Sequence, residues 1–255
     1  MFKNVIVKTP CSKVTEGITT ANLGKPDYQQ ALVQHQGYID ALKKCGVQVT
    51  LLPADEAYPD SCFVEDVAVV TEKCAIITNP GAPTRKGEIE AIGPVLEKFY
   101  DASVIGRITA PGTLEGGDVM RVDNCFYVGA SARTNKEGIR QFAEILAKYG
   151  FDCQEVPLEK VLHLKTGVNY LADNVMLVSG EFVDKPCFAS FKKIVIPEEE
   201  SYAANCIYVN GTVLVPAGFP KTKEAVEQAG FPVLLVDTSE FRKIDGGLSC
   251  LSLRF

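Results

Sequence analysis

The chain has no basic cluster, no C-x-x-C pair, only two histidines, and no apolar run near the ~18 residues that a membrane span requires. Each absence removes a class of function. With a net charge of -6 and both signs interspersed, nucleic acid and anionic membranes are poor partners. Two histidines and no paired cysteines leave no set for a structural zinc site, so no metal is expected. There is also no G-x-x-x-x-G-K-[ST], no G-x-G-x-x-G after a strand and no H-E-x-x-H, which removes the common nucleotide and zinc-protease signatures. The N-terminal MFKNVIVKTP is too short in apolar length for a signal peptide, so the expected location is the cytoplasm. Nine cysteines is an odd count, and Cys74, Cys125 and Cys206 sit in apolar runs. They read as buried, reduced thiols rather than a disulfide framework.

What is present is a recurring unit: a helix, a glycine stop, a short apolar strand, a polar stretch and a pair of apolar strands. The first copy has Tyr28, Leu32, His35, Ile39 and Leu42 on one helix face, Gly46 as the stop, VQVTLLP, and the hairpin DVAVVTEKCAIIT. In the third, Thr134 and Glu137 suggest a capping box, Ile139, Phe142, Leu146 and Tyr149 a buried stripe, and Gly150 the left-handed stop. FDCQEVP and the hairpin DNVMLVSGEFV follow. The second helix covers roughly 86–100 with Pro94 inside it, the fourth copy has a short helical piece near 186–192, and the fifth runs from 221–229 to the closing strand GLSCLSLRF. The last copy lacks one hairpin strand, and FKNVIVKTP is available to complete it. The pattern predicts one α/β domain over 1–255, a five-bladed pseudo-symmetric propeller whose closure joins the chain ends and removes sheet edges. A conventional doubly wound sheet also alternates strands and helices, but it would not need the repeated hairpins.

The polar segments before the hairpins gather at one mouth of such a propeller, and they carry the chemistry. Cys250 follows Gly246-Gly247, where a sharp turn and a close ligand approach are both allowed. A cysteine nucleophile needs a group that lowers its pKa or shuttles its proton, and His163 is the candidate. His35 lies on the buried stripe of a helix and reads as a packed, satisfied core histidine. Asp60, Glu65, Asp66, Glu115 and Asp118 all fall in pre-hairpin segments. Turn chemistry accounts for Asp118 and Asp245, but the acids at 60, 65 and 66 lie among apolar residues. A mouth lined with carboxylates suits a planar guanidinium. Arg85 and Arg133 each precede a helix, where a cation opposes the helix dipole and an anionic ligand would compensate. Acids for one end and arginines for the other describe an amino acid with a cationic side chain.

PDSCFVED, the Glu115 loop, HLKTG, EEESYAANC and KIDGGLSC resemble, as an ordered set over essentially the whole chain, the dimethylarginine dimethylaminohydrolases of the guanidine-modifying (pentein) superfamily. The resemblance implies the five-bladed α/β propeller and the hydrolysis of Nω-methylated arginine, dimethylated or monomethylated, to citrulline and dimethylamine or methylamine. It implies Cys250 as nucleophile, His163 as general acid and base, and Glu115 as the carboxylate that orients His163. Asp66 would grip the guanidinium, Asp60 and Glu65 would line the pocket, Arg85 and Arg133 would bind the substrate carboxylate, and the backbone at Ile18 and Ile244 would hold the α-amino end. Segment 14–25 would be a lid. A covalent thiouronium-type adduct on Cys250 needs no metal and no organic cofactor. The partner is then a small molecule, the methylated arginine, and the assembly admits a homodimer. An arginine or agmatine deiminase on the same scaffold is the alternative. Such enzymes resemble this chain but carry an acid two residues after the histidine, where Lys165 stands here. Cys62, between Asp60 and Glu65, raises a second reactive thiol in the mouth.

Overall fold

A computed structural model describes residues 1–255. Strand β1 (Asn4–Lys8), helix α1 (Tyr28–Lys44) and strand β2 (Gln48–Leu52) open the chain, with β2 parallel to β1. Next come the hairpin β3 (Ala68–Val70) and β4 (Ala75–Ile77), helix α2 (Ile89–Leu96) and β5 (Ile105–Arg107), with β5 parallel to β4. The third set is β6 (Val119–Val122), β7 (Cys125–Ala130), α3 (Lys136–Ala147) and β8 (Asp152–Pro157). The fourth is β9 (Val168–Tyr170), β10 (Val175–Val178) and β11 (Lys192–Val195), with two one-turn 3-10 helices in place of an α-helix. The fifth is β12 (Ile207–Val209), β13 (Thr212–Pro216), α4 (Pro220–Gln228) and β14 (Val233–Val236). After α5 (Ser239–Arg242), β15 (Leu253–Arg254) pairs antiparallel with β1 and completes the first sheet with the last residues of the chain.

Five three-stranded sheets result, each with one antiparallel and one parallel pairing. One outer strand of each sheet (β15, β3, β6, β9 and β12) lines one cavity of about 920 Å³, which marks the axis of a five-bladed α/β propeller. One apolar cluster fills each seam between neighbouring blades. The largest joins the first and fifth blades and includes Tyr38, Leu42, Leu214 and Phe241. The hairpins form where β-branched runs flank residues that tolerate positive φ. The fourth turns on Asp173 and Asn174, and the fifth on Asn210 and Gly211.

Several local expectations are corrected. The strand after each helix pairs backward, with the second hairpin strand of its own blade, so the repeat is hairpin–crossover–strand rather than strand–hairpin. The fourth hairpin is β9–β10, one strand earlier than DNVMLVSGEFV, and Gly180–Phe182 is a 3-10 turn. The N-cap of α3 is Asn135, whose side chain accepts from the Gly138 amide, and not Thr134. Only 253–254 of the closing segment is strand, and Cys250 lies on the 3-10 turn Ser249–Leu251. His35 is packed against Phe241 but its Nε2 has no partner, so it is buried without being satisfied.

Candidate active site

Ahead of every hairpin the chain makes one short 3-10 segment: Val64–Val67, Gly116–Asp118, Leu164–Thr166, Glu198–Ala204 and Ser249–Leu251. These turns gather beside one end of the axis, and the first, second, third and last bring the expected acids, histidine and cysteine together. Glu115 precedes its turn and is fully buried. His163 Nε2 donates to its Oε2 at 2.7 Å, while the Ala82 amide and Arg133 Nη1 donate to its Oε1 at 3.0 and 3.3 Å. Gly117 lies against the imidazole: a Cβ there would stand 2.8 Å from His163 Nδ1, so only glycine admits the ring in this place.

Burial alone would lower the His163 pKa. The hydrogen bond to Glu115 and the charges of Asp66, Asp118 and Glu115 outweigh it and raise the pKa to about 9. The imidazole therefore rests protonated. Burial would raise the Glu115 carboxyl, but His163 and Arg85 hold it below its ordinary value. Asp66 is lowered in the same way by Arg85, His163 and the Gly117 amide, which donates to its Oδ1 at 2.8 Å. Ligand atoms of Asp66, Glu115 and His163 lie within 4.8 Å of one another. Since each of the three is hydrogen-bonded, the cluster reads as a charge network facing a cationic ligand rather than as a metal cage.

Cys250 is half-buried, and its sulfur accepts from the Gly247 amide at 3.4 Å. Burial and the charges of Glu65 and Asp66 push its pKa up to about 12, against the pull of the Gly247 amide and Lys165. These influences favour the thiol over the thiolate. Glu65 is buried at the floor, where Lys165 Nζ donates to Oε1 and the Ser249 hydroxyl to Oε2 at 2.9 Å. Lys165 is thus engaged by Glu65, which is the physical content of its standing where deiminases carry an acid. Cys62 is fully buried in the seam of the first and fifth blades, and burial together with the Asp60 charge raises its pKa well above the ordinary thiol value. Both features argue against Cys62 as a second reactive thiol.

Asp60 accepts the Ile18 amide at 3.0 and 3.3 Å, and burial raises its pKa despite Arg85 nearby. Gly17 permits this approach, since a Cβ would lie 2.9 Å from Asp60 Oδ1 and 3.3 Å from Ile244 Cγ2. Beyond it, the Thr19 hydroxyl donates to the Lys243 carbonyl at 2.9 Å, and the Thr20 amide and hydroxyl donate to Asp245 at 2.6 and 2.9 Å. Segment 17–21 therefore lies across the loop that leads to Cys250. Arg133 is partly exposed beside Glu115. Arg85 differs: Nη1 donates to Asp66 at 2.5 Å, Nε and Nη2 to Glu88 at 2.9 and 2.7 Å, and Nη2 to the Phe63 carbonyl at 3.0 Å. The anions that compensate Arg85 are the protein's own, which corrects the dipole argument that demanded a ligand there. The assignment of Asp118 to turn chemistry is corrected as well. Asp118 is fully buried, accepts the Leu164 amide at 2.9 Å and the Ser131 hydroxyl at 2.6 Å, and so ties down the turn that carries His163. Its place beside Gly-Gly in a pre-hairpin segment was the available signal.

A family model described as "N,N dimethylarginine dimethylhydrolase, eukaryotic" matches residues 21–209. The N(G),N(G)-dimethylarginine dimethylaminohydrolase of Pseudomonas aeruginosa is 57% identical over 255 residues, which cover 100% of both chains. The solved structure of the P. aeruginosa protein, as a cysteine-to-serine mutant complexed with citrulline, superposes with a TM-score of 0.98 at 56% identity over 100% of both chains. A histidine-to-glycine dimethylarginine dimethylaminohydrolase, as its adduct with S-methyl-L-thiocitrulline, matches with the same score, identity and coverage. No helix of this chain is long and apolar enough to cross a membrane.

Proposed function

The chain belongs to the dimethylarginine dimethylaminohydrolase family, and from that premise we propose that its 255 residues act as one catalytic domain in which Cys250, His163 and Glu115 hydrolyse Nω-methylated arginine. The reaction is hydrolysis of asymmetric dimethylarginine or monomethylarginine to citrulline and dimethylamine or methylamine. The observation that carries the roles is the 2.7 Å hydrogen bond between His163 and buried Glu115 beside Asp66, an arrangement that favours the protonated imidazole.

The chemistry follows from that charge state. A guanidinium entering beside Asp66 and Glu115 offsets the carboxylates that hold the Cys250 thiol protonated, and the thiol loses its proton to water. The thiolate attacks the guanidinium carbon. His163 is already protonated and hands its proton to the departing nitrogen, because an amine cannot leave as an anion. The C–N bond breaks, dimethylamine departs and a thiouronium remains on Cys250. Neutral His163 then takes a proton from water as the water oxygen bonds to the same carbon. The C–S bond breaks, the remaining hydroxyl proton passes to the released Cys250 sulfur as the C=O forms, and citrulline leaves. Asp60 and Glu65 line the pocket, the latter through the floor it forms with Lys165. Arg133 faces the substrate carboxylate, and Arg85 holds Asp66 from behind. The backbone at Ile18 and Ile244 takes the α-amino end under a lid at 14–25.

No cofactor is needed at any step. All nine cysteines are unpaired, which supports a reducing, cytoplasmic setting. The assembly admits a homodimer, and light scattering reads the oligomeric state directly. The deciding assay is citrulline formation from dimethylarginine and from plain arginine, with Cys250→Ser as control. Turnover of the methylated compound alone, lost in Cys250→Ser, supports the reading. Preferential turnover of plain arginine makes it a deiminase.

A further inference from the structure

Ser249, the residue before the nucleophile, is fully buried, and a different element holds each of its three polar groups. Its amide donates to Asn205 Oδ1 at 2.8 Å, and its hydroxyl donates to Glu65 Oε2. Its carbonyl accepts from Arg254 Nη1 at 3.2 Å. Arg254 is the one that reaches in from outside the mouth. It belongs to β15 and lines the axial cavity. The same Nη1 donates to the Ser252 carbonyl at 3.1 Å and hydroxyl at 2.7 Å, and Nη2 donates to Glu65 Oε1 at 3.3 Å.

A single 3-10 turn leaves its last carbonyls without helical partners. A guanidinium, with donors fixed in one plane, can bridge several such acceptors at once, whereas an ammonium cannot hold the same spread. Arg254 closes the nucleophile's turn from behind in this way. It also bears on charge. Lys165 and Arg254 both donate to the same Glu65 oxygen, so the carboxylate that most opposes a thiolate at Cys250 is shared between two cations. The other charged or titratable groups around Cys250 are Asp66 and Tyr202, with Glu115, Asp118 and His163 on the neighbouring turns.

We propose that Arg254 is a positioning residue for this reaction: acting through Ser249 and Glu65 from the axial side, it fixes the turn of Cys250 and offsets the Glu65 charge beneath it. The inference rests on Cys250 being the nucleophile.

The test follows iodoacetamide alkylation of Cys250 against pH, located by peptide mass, together with kcat, KM and Tm in the full chain. Arg254→Gln should alkylate roughly 10-fold more slowly at a fixed pH, the consequence of a pKa raised by about one unit. Its kcat should fall by a similar factor with KM changed less than about threefold, as expected when ground-state binding is intact. Arg254→Lys restores the charge and should recover the alkylation profile, but it loses the fork and should leave kcat depressed. Ser249→Ala removes only the hydroxyl link to Glu65 and should lower kcat without moving KM. A folded Arg254→Gln with the wild-type alkylation profile and kcat overturns the proposal, and so does one in which only Tm falls. If Arg254→Gln does not fold, wild-type kcat in both Arg254→Lys and Ser249→Ala overturns it instead. Adducts that form on another cysteine of the wild type, or activity surviving in Cys250→Ser, would defeat the nucleophile reading before any Arg254 variant is compared.

Discussion

Replacing Arg85 and Arg133 one at a time separates two residues that look like twins in the sequence. Arg85 is almost wholly buried, and its guanidinium joins Asp66, Glu88 and two backbone carbonyls. Alanine there strands two buried carboxylates. Removing one partner of a buried ion pair costs about 3–5 kcal/mol. For a chain of this length each kcal/mol lowers Tm by about 2–4 °C, so the expected fall is on the order of 10 °C. The stranded acids can limit the damage by holding protons, and burial already raises Glu88. In the variant their folded-state pKa values lie above the unfolded ones. The added stability is then present at low pH and lost as pH rises, so the deficit against wild type should widen between about pH 5 and 8. Arg133 makes one 3.3 Å contact to Glu115 and is partly exposed. Its loss should cost the fold less than about 1 kcal/mol. It should remove a charge-assisted bond of about 1.5–3 kcal/mol to the substrate carboxylate and raise KM by about one to two decades. Denaturant unfolding at two pH values, with KM for dimethylarginine and for a methylguanidine that lacks a carboxylate, distinguishes these roles. Wild-type stability in Arg85→Ala, with a KM defect confined to the carboxylate-bearing substrate, would refute the network argument and restore the symmetric pair of anchors.

Four further outcomes are expected. An electrophilic arginine mimic should label Cys250 and leave Cys62 unmodified, because Cys62 is fully buried with a raised pKa; mapping the adduct to Cys62 contradicts this. His163→Gly should lose at least the ~10²–10⁴-fold typical of one general acid–base group. Glu115→Gln should shift the loss of activity at high pH downward from about 9, since it removes the negative charge from the hydrogen bond that chiefly raises His163, and an unmoved limb assigns that titration elsewhere. His35 has its pKa lowered to about 4 by burial, so between about 4 and 6.5 only the unfolded chain takes the proton and stability falls with pH. His35→Gln should flatten that acid limb, worth roughly 3 kcal/mol at its end, while leaving kcat within about twofold; an unchanged limb removes His35 as its cause.

The repeat was legible because each hairpin couples a β-branched run to a turn signal, and Gly46 and Gly150 adopt the left-handed stops their positions implied. The pairing of the strands was not. Whether VQVTLLP joins the hairpin after it or β1 before it is a tertiary choice, and periodicity carries no information about it. β9 was overlooked for a related reason. Its three residues include Asn169, whose amide spans the carbonyls of Lys165 and Ala204. A polar residue on so short a strand breaks the pattern that marks strands. The argument about Arg85 detected a real imbalance at a helix start, but Glu88 and Asp66 resolve it. The first lies only three residues on, in reach along the sequence; the second meets it only in the folded chain.

The site itself is an asymmetry of charge on a symmetric scaffold. All five blades place a short 3-10 segment before the hairpin, so backbone geometry alone distinguishes none of them. Three of the turns carry acids: those at Glu65–Asp66 and Glu115–Asp118 meet the histidine and the cysteine, while Glu199 and Glu200 of the turn before Asn205 accept from Lys221 and Thr222 instead; one turn carries His163 and Lys165, and one the cysteine. A pre-hairpin acid was therefore a sound clue in this chain, and dismissing Asp118 as turn chemistry was its misuse. An exposed turn aspartate caps its own loop. Asp118 is completely buried and reaches across to the Leu164 amide in the next blade's turn. Burying a carboxylate costs several kcal/mol unless partners offset it, so an acid in such a place persists only where neighbours gain from its charge. Here those neighbours are the turn that bears His163 and the imidazolium itself. The same reasoning applies to Glu65, whose burial is tolerable because Lys165, Arg254 and Ser249 converge on it, and whose place beside the nucleophile makes that convergence a matter of reactivity as well as of folding.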